Sequence, residues 1–152
     1  MKIKNTALGL VLLFVFSCSK KPSEIDVAPL GLNKAKDLWL SKGIDSYSYT
    51  QTSFCFCIPK QLAPHKLTIQ NDKIVSVNGE VFDASIHRGF LTVNDSFEYI
   101  INKLDNDPEE FSLEFDSTYG FPTDVFFDMS FMIADEEIRL SFTDFTPSSA
   151  NN

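Results

Sequence analysis

The sequence predicts an α+β fold, an antiparallel sheet with helices packed on one face, in the order helix, three strands, helix, three strands. Apolar and polar residues alternate in both arms of residues 111–130, FSLEFDSTYGFPTDVFFDMS, which is typical of a β-hairpin with one buried face. After Asp95, apolar residues recur with helical spacing. Strand and helix patterns are segregated along the chain, which favours helices layered on an antiparallel sheet.

Residues 1–17 have the features of a secretory signal peptide. Lys2 and Lys4 precede an apolar run, and Ser17 is a small residue placed for cleavage before Cys18. The residues VFSC at this point resemble the lipobox of bacterial lipoproteins, in which the cysteine is diacylated and becomes the new N-terminus. The resemblance implies that Cys18 is the lipidation site, where acyl chains such as palmitate hold the protein to a membrane. The alternative is an ordinary signal peptide with an incidental cysteine.

The rest of the chain divides into three parts. Residues 18–31 are expected to form the lipidated cysteine and a flexible tether, because the stretch is polar, holds two prolines and has no apolar period. Residues 32–146 have the length of a single globular domain, and residues 147–152 read as a disordered tail. Ser19 stands where lipoproteins retained in the inner membrane carry aspartate, so the resemblance implies the outer membrane of the bacterial envelope.

The charge of the chain limits its partners. Cleavage of the signal peptide removes Lys2 and Lys4 from 13 basic residues, which leaves 11 against 21 acidic residues and a formal charge of −10. Such a chain is a poor ligand for nucleic acid. It is also repelled by anionic lipid headgroups, so membrane contact is expected through the acyl chains on Cys18.

The first half of the domain opens with a helix and a long strand. Residues 32–43 predict a helix in which Asn33 is the N-cap and Trp39 packs against the core. Residues 46–58 predict a strand, but the parity of its apolar residues changes along the way. Either a bulge near Thr52-Ser53 resets the buried face, or both faces of this strand are partly covered.

Three shorter strands are expected next, over residues 66–70 and 73–77 and through Phe82. The pair Asn78-Gly79 is the strongest hairpin signal in the chain. Residues 83–92 predict a loop.

The second half opens with a helix and closes with a strand. Asp95 and Glu98 have the spacing of a capping box at the start of that helix. After the hairpin, alternation in residues 137–142 predicts the last strand.

Several of these positions carry a family likeness. They are Trp39, Tyr47, Tyr49, the C-x-C-x-P stretch from Cys55 to Pro59, and the Y-G-F-P motif formed by Tyr119, Gly120, Phe121 and Pro122. Together they resemble the bacterial envelope family catalogued as domain of unknown function 6174. The resemblance implies a secreted or lipid-anchored protein, and it implies no activity.

Cys55 and Cys57 are the first candidates for chemistry. With Cys18 lipidated they form an even pair in an oxidising compartment, which predicts a disulfide, and the bridge would fix a kink that lets the apolar residues of this stretch pack. The alternative is a dithiol site for Cu(I) or Zn completed by His65 or His87. Inert or redox-active thiols are the third alternative.

An acidic cluster is the second candidate, and catalytic motifs are absent from the sequence. The acidic residues are Asp124, Asp128, Asp135, Glu136 and Glu137, which form either a solvated sheet edge or a Ca²⁺ site with oxygen ligands. Since no catalytic motif is found, no catalytic residue is assigned and no cofactor is expected.

The leading hypothesis is a non-enzymatic, lipid-anchored module that binds or scaffolds an unknown envelope protein. The alternative is a metal-binding or thiol redox module centred on Cys55 and Cys57.

Overall fold

Seven antiparallel strands form a single sheet in the structure, a computed structural model that describes residues 31–56 and 62–148. In chain order the elements are helix α1 (Leu32–Lys42), strands β1 (Tyr47–Phe54), β2 (His65–Gln70), β3 (Lys73–Val77) and β4 (Glu80–Val81), helix α2 (Val93–Asp105), and strands β5 (Glu110–Phe115), β6 (Pro122–Asp128) and β7 (Ile138–Pro147). The strands lie side by side in the order β4-β3-β2-β1-β7-β6-β5. In the part of the chain described, neither helix is long and apolar enough to cross a membrane.

The predicted fold class and element order are wrong. The structure is dominated by one all-antiparallel sheet with only two helices among the described residues. Four strands precede α2, which agrees with the individual strand predictions but not with the predicted order of three. The difference arises at β1, which pairs with β2 on one side and with β7 on the other. β1 thereby joins the two halves of the chain into one sheet, and the periodicity of a single strand carries no information about such a distant partner.

The core is built on one face of β1. Tyr47, Tyr49 and Gln51 alternate along this strand and are almost completely buried. Trp39 of α1 packs edge-on against Tyr47, with ring centroids 5.4 Å apart, and the ring of Phe145 in β7 lies 5.4 Å from that of Tyr47. The prediction that Trp39 packs α1 against the core is confirmed.

The far end of β1 differs from the prediction. The register against β7 shifts between Ser48 and Thr50, and not near Thr52-Ser53. Because the alternation then continues without interruption, Phe54 falls on the face opposite the core. Phe54 is 52% exposed and Phe56 is 83% exposed, so the expectation that they pack in the core is wrong.

Both helices are capped at the N-terminus by a residue other than the one the sequence indicates. Gly31 precedes α1 with φ of 117°, so Asn33 is not the N-cap. α2 begins after Thr92, whose Oγ1 accepts the backbone N–H of Asp95 while the Asp95 carboxylate accepts the N–H of Thr92. The capping box therefore pairs Thr92 with Asp95 and not Asp95 with Glu98.

The two predicted hairpins are confirmed. β5 and β6 pair from Glu110 opposite Asp128 to Phe115 opposite Pro122. The turn at Asn78-Gly79 joins β3 to β4, although β4 ends at Val81, before Phe82.

The last strand is also confirmed and is longer than expected. Leu140 and Phe142 are buried, and the side chain of Arg139, the residue before Leu140, is exposed. β7 continues to Pro147, one residue into the predicted tail.

Several predictions concern residues outside those described. These are the signal peptide, the lipidated Cys18, the tether up to residue 30, residues 57–61 and residues 149–152. They stay predictions.

Candidate functional site

The Y-G-F-P motif fixes the β5–β6 turn against α1. Gly120 has φ of +87°, and a Cβ built there would lie 2.3 Å from the backbone oxygen of Ala35 and 2.9 Å from the backbone nitrogen of Trp39. Such an approach is open to glycine alone. The neighbouring Phe121 is buried and stacks on Phe145, with centroids 4.5 Å apart. Tyr119 packs against the same ring.

Trp39 extends this contact into a chain of hydrogen bonds. Its indole Nε1 donates to Oδ1 of Asn94 at 2.9 Å, and the Asn94 amide donates to Oδ2 of Asp72 at 2.7 Å. This series of hydrogen bonds joins α1, the start of α2 and the turn between β2 and β3. Trp39 and the Y-G-F-P motif are therefore structural residues.

The buried polar groups of β1 hold the segment before α2. The hydroxyl of Tyr47 accepts the backbone N–H of Val93 at 2.7 Å, and the hydroxyl of Tyr49 donates to the carbonyl of Leu91. Gln51, an unforeseen member of this set, donates from Nε2 to the carbonyl of Gly89 and accepts the Leu91 N–H. Burial raises the pKa of both tyrosines well above the ordinary value.

An open groove of about 750 Å³ lies on the other face of the sheet. Its lining consists of Phe54, Cys55, Phe56, Asp124, Phe126, Asp135, Glu137, Arg139 and Ser141. Three phenylalanines and three carboxylates thus meet at one site. Among the described residues, α1 and α2 contribute nothing to the lining, so neither helix covers this face.

Exposed apolar residues continue beyond the groove. Phe54 pairs with Arg139 at the start of β7, so the loop between β6 and β7 lies at the same end of the sheet. That loop carries Phe131, Met132 and Ile133, which are 67%, 90% and 59% exposed. Three consecutive exposed apolar residues are a typical sign of an interaction surface. These three residues match neither the strand nor the helix period, so the sequence does not indicate them.

The charges in the groove are unevenly balanced. Nε of Arg139 lies 3.1 Å from Oδ1 of Asp124, and the guanidinium lies over the ring of Phe126. Among the described residues, Asp135 and Glu137 form no ion pair. The groove therefore offers aromatic surface together with an excess of negative charge.

Cys55 lies at the junction of two cavities. It lines the groove and also a smaller cavity of about 220 Å³ on the helix side of the sheet. Cys55 is disulfide-bonded. Cys18 and Cys57 lie outside the described residues, so the pairing of Cys55 with Cys57 stays a prediction.

The weaker metal candidates are not brought together. His65 is buried and packs against Phe90 at 4.9 Å, whereas Nδ1 of His87 accepts the backbone N–H of Asp83. Asp124 and Asp135 line the groove without His65 or His87.

The acidic cluster is likewise divided. Asp128 is buried, and its Oδ1 accepts the N–H of Ser130. Across residues 31–56 and 62–148, no three histidine, cysteine, aspartate or glutamate side chains form a group that could hold a metal ion.

Comparison with known proteins agrees with the family resemblance that the sequence motifs indicate. A model of a family of unknown function, DUF6174, matches residues 31–147. No curated protein and no solved structure shows a significant match. The matched range covers every helix and strand described above, and the chain therefore belongs to the DUF6174 family of unknown function.

Proposed function

We propose that the chain is a non-enzymatic, lipid-anchored module of the bacterial envelope that binds a peptide segment of another envelope protein in the groove beside Phe54 and Phe56. The observation that carries this proposal is the exposure of large apolar side chains at one end of the sheet. Phe56 alone is 83% exposed, and Met132 in the neighbouring loop is 90% exposed. Aromatic residues in such positions commonly supply most of the binding energy of an interface.

The charges of the groove indicate the kind of peptide. Asp135 and Glu137 form no ion pair among the described residues, and Arg139 is already engaged by Asp124. A segment with apolar side chains for Phe54 and Phe56 and with lysine or arginine for the two carboxylates complements this lining. Acidic segments are repelled by it.

A defined peptide tests the proposal. A fluorescein-labelled peptide of alternating lysine and phenylalanine is titrated with the chain from residue 18 onward carrying Cys18→Ser, and anisotropy is measured. We expect saturable binding that Phe56→Ser weakens about tenfold, the usual loss for a central aromatic contact. Binding should also weaken as salt is raised, because exposed charges are screened.

Two controls distinguish peptide binding in the groove from nonspecific hydrophobic binding. Leu40→Ser removes a 57% exposed apolar residue from α1, away from the groove, and should leave binding unchanged. A peptide with glutamate in place of lysine should not bind. Equal binding of both peptides, or equal effects of the two substitutions, would refute the proposal.

The anchor is tested separately. Wild-type protein is expected to fractionate with membranes and to incorporate labelled palmitate, while Cys18→Ala should remain unprocessed and unlabelled. If wild-type protein is found in the soluble fraction, the lipid-anchored part of the proposal fails, and the peptide assay still decides the groove.

A thiol redox module is the second candidate, because Cys55 is disulfide-bonded and borders two cavities. In this case a partner thiolate attacks one sulfur of the disulfide and releases the other as thiolate. The partner's second thiol then resolves the mixed disulfide, so the partner is oxidised as the protein is reduced. The metal alternative requires the reduced dithiol, since thiolates are the ligands of Cu(I) and Zn.

The oxidation state of Cys55 and Cys57 in protein purified without reductant distinguishes these alternatives. A disulfide that glutathione reduces readily supports redox exchange. A disulfide that resists glutathione indicates a structural role. Two thiols that react only after chelation indicate a metal site.

A further inference from the structure

The smaller cavity lies on the helix side of the sheet and shares Cys55 with the lining of the groove. It is lined by Ser53, Cys55, Arg88, Gly89, Phe90, Leu91, Tyr99, Ile138 and Leu140. Most of this lining is apolar, and Leu140 in its wall is 3% exposed. At about 220 Å³ the cavity is too small for a peptide or a two-chain lipid. At roughly 30 Å³ for each non-hydrogen atom, as in liquid water, it has room for about seven or eight atoms.

Besides Ser53 and Cys55, two residues bring polar groups to this mostly apolar lining. Arg88 is exposed, and among the described residues its guanidinium forms no ion pair. The second polar group is the hydroxyl of Tyr99, whose oxygen is buried and has no hydrogen-bond partner among the described residues. Buried hydroxyls are nearly always satisfied, so an unsatisfied one at a cavity indicates a missing partner.

Both polar groups suit the same ligand chemistry. A guanidinium binds a carboxylate through two parallel N–H donors, and a phenol can donate a further hydrogen bond to an oxygen. The apolar walls formed by Phe90, Leu91 and Ile138 suit a hydrocarbon chain. This combination of an apolar cavity with a few polar groups is typical of small-molecule sites.

We propose that this cavity binds a small amphipathic carboxylate, with its hydrocarbon chain among Leu91, Ile138 and Leu140 and its carboxylate at Arg88 and Tyr99. This site is independent of the peptide groove. Neither Arg88 nor Tyr99 lines the groove, and neither Phe54 nor Phe56 lines the cavity.

Hexanoate, which has eight non-hydrogen atoms, is the test ligand. The chain from residue 18 onward carrying Cys18→Ser is labelled on its isoleucine and leucine methyl groups and titrated by NMR. We expect saturable shifts at Leu91, Ile138 and Leu140, with a dissociation constant of about 1 mM or below. Hexanol, which lacks the charge, and hexylamine, which reverses it, should bind at least ten times more weakly.

Charge-matched variants locate the carboxylate. Arg88→Gln should weaken hexanoate binding about tenfold, because a charge-assisted hydrogen bond is lost. Arg139→Gln makes the same change of charge on the groove side and should leave binding unchanged. Tyr99→Phe should weaken binding several-fold, and Ser53→Leu should abolish it by filling the cavity without lowering the melting temperature.

The outcomes decide the proposal in either direction. It is overturned if hexanoate gives no saturable shifts, if hexanol binds as well as hexanoate, or if Arg139→Gln weakens binding as much as Arg88→Gln. An ordered water on the Tyr99 hydroxyl that hexanoate does not displace would also overturn it. Because the groove variant Phe56→Ser should not affect hexanoate, failure of the peptide proposal leaves this one intact.

Discussion

Gly120→Ala is the most direct test of the contact between the β5–β6 turn and α1. The new Cβ would lie 2.3 Å from the carbonyl oxygen of Ala35, 2.9 Å from the backbone nitrogen of Trp39 and 3.1 Å from Cβ of Leu38. Two of these atoms belong to the helix backbone, which cannot rotate away as a side chain can. α1 must therefore shift as a unit, or the turn must open.

The stability that Gly120→Ala is expected to cost has two parts. An alanine held at φ of +87° costs about 1–2 kcal/mol. Overpacking against a rigid neighbour costs about 1–3 kcal/mol more. The expected loss in the free energy of unfolding is therefore about 2–5 kcal/mol, a large part of the roughly 5–15 kcal/mol of a typical domain.

Gly79→Ala is the matched control, because it isolates the cost of holding an alanine at positive φ. Gly79 has φ of +82°, and a Cβ there meets no atom within 4 Å. Its substitution should cost about 1–2 kcal/mol and no more.

Urea denaturation followed by the fluorescence of Trp39, the only tryptophan, measures both variants. Trp39 is 2% exposed and lies at the contact itself, so its native emission should also change in Gly120→Ala. Equal costs for the two variants would show that the turn does not approach α1 this closely.

Three further predictions concern the core, the helix cap and pH. Phe127→Ala should lower the free energy of unfolding by about 3–5 kcal/mol, since this side chain is fully buried; a loss below 1 kcal/mol in urea would contradict its placement. Thr92→Ala should cost about 1 kcal/mol in the same assay and Thr92→Ser much less, whereas equal losses would contradict the capping role. Burial raises the pKa of Tyr99 to about 12, and the unfolded chain releases that proton near pH 10, so stability should be full below pH 10 and fall as pH rises from 10 towards 12. The fall in melting temperature over this range should be smaller in Tyr99→Phe, and an identical fall would refute the assignment.

Local patterns predicted the elements whose partners lie nearby in sequence. The β5–β6 hairpin and the Asn78-Gly79 turn follow from alternation and turn chemistry alone, which act over a few residues. Trp39 was predicted to be in the core because a lone tryptophan in an amphipathic helix is usually buried. Each of these predictions required no knowledge of the rest of the fold.

Features decided by distant partners escaped the sequence analysis. The pairing of β1 with β7 joins residues about 90 positions apart, and no local pattern encodes it. The facing of Phe54 depends on that pairing, because hydrophobicity alone assigns a phenylalanine to the core. The cap at Thr92 was missed because Asp95 is itself a good N-cap residue, and its role at the third position became visible only with the backbone.

β1 contributes both to the core and to the groove of the proposed binding site. Tyr47, Tyr49 and Gln51 point to the buried face, where they hold the core and the segment before α2. Phe54 and Phe56, beyond the last of them, line the open groove. The residues that carry the family likeness, namely the two tyrosines, Trp39 and the Y-G-F-P motif, therefore stabilise the fold. The proposed peptide specificity rests instead on residues of the opposite face. It follows that substitutions at Tyr47 or Tyr49 should act on stability, and those at Phe54 or Phe56 on binding.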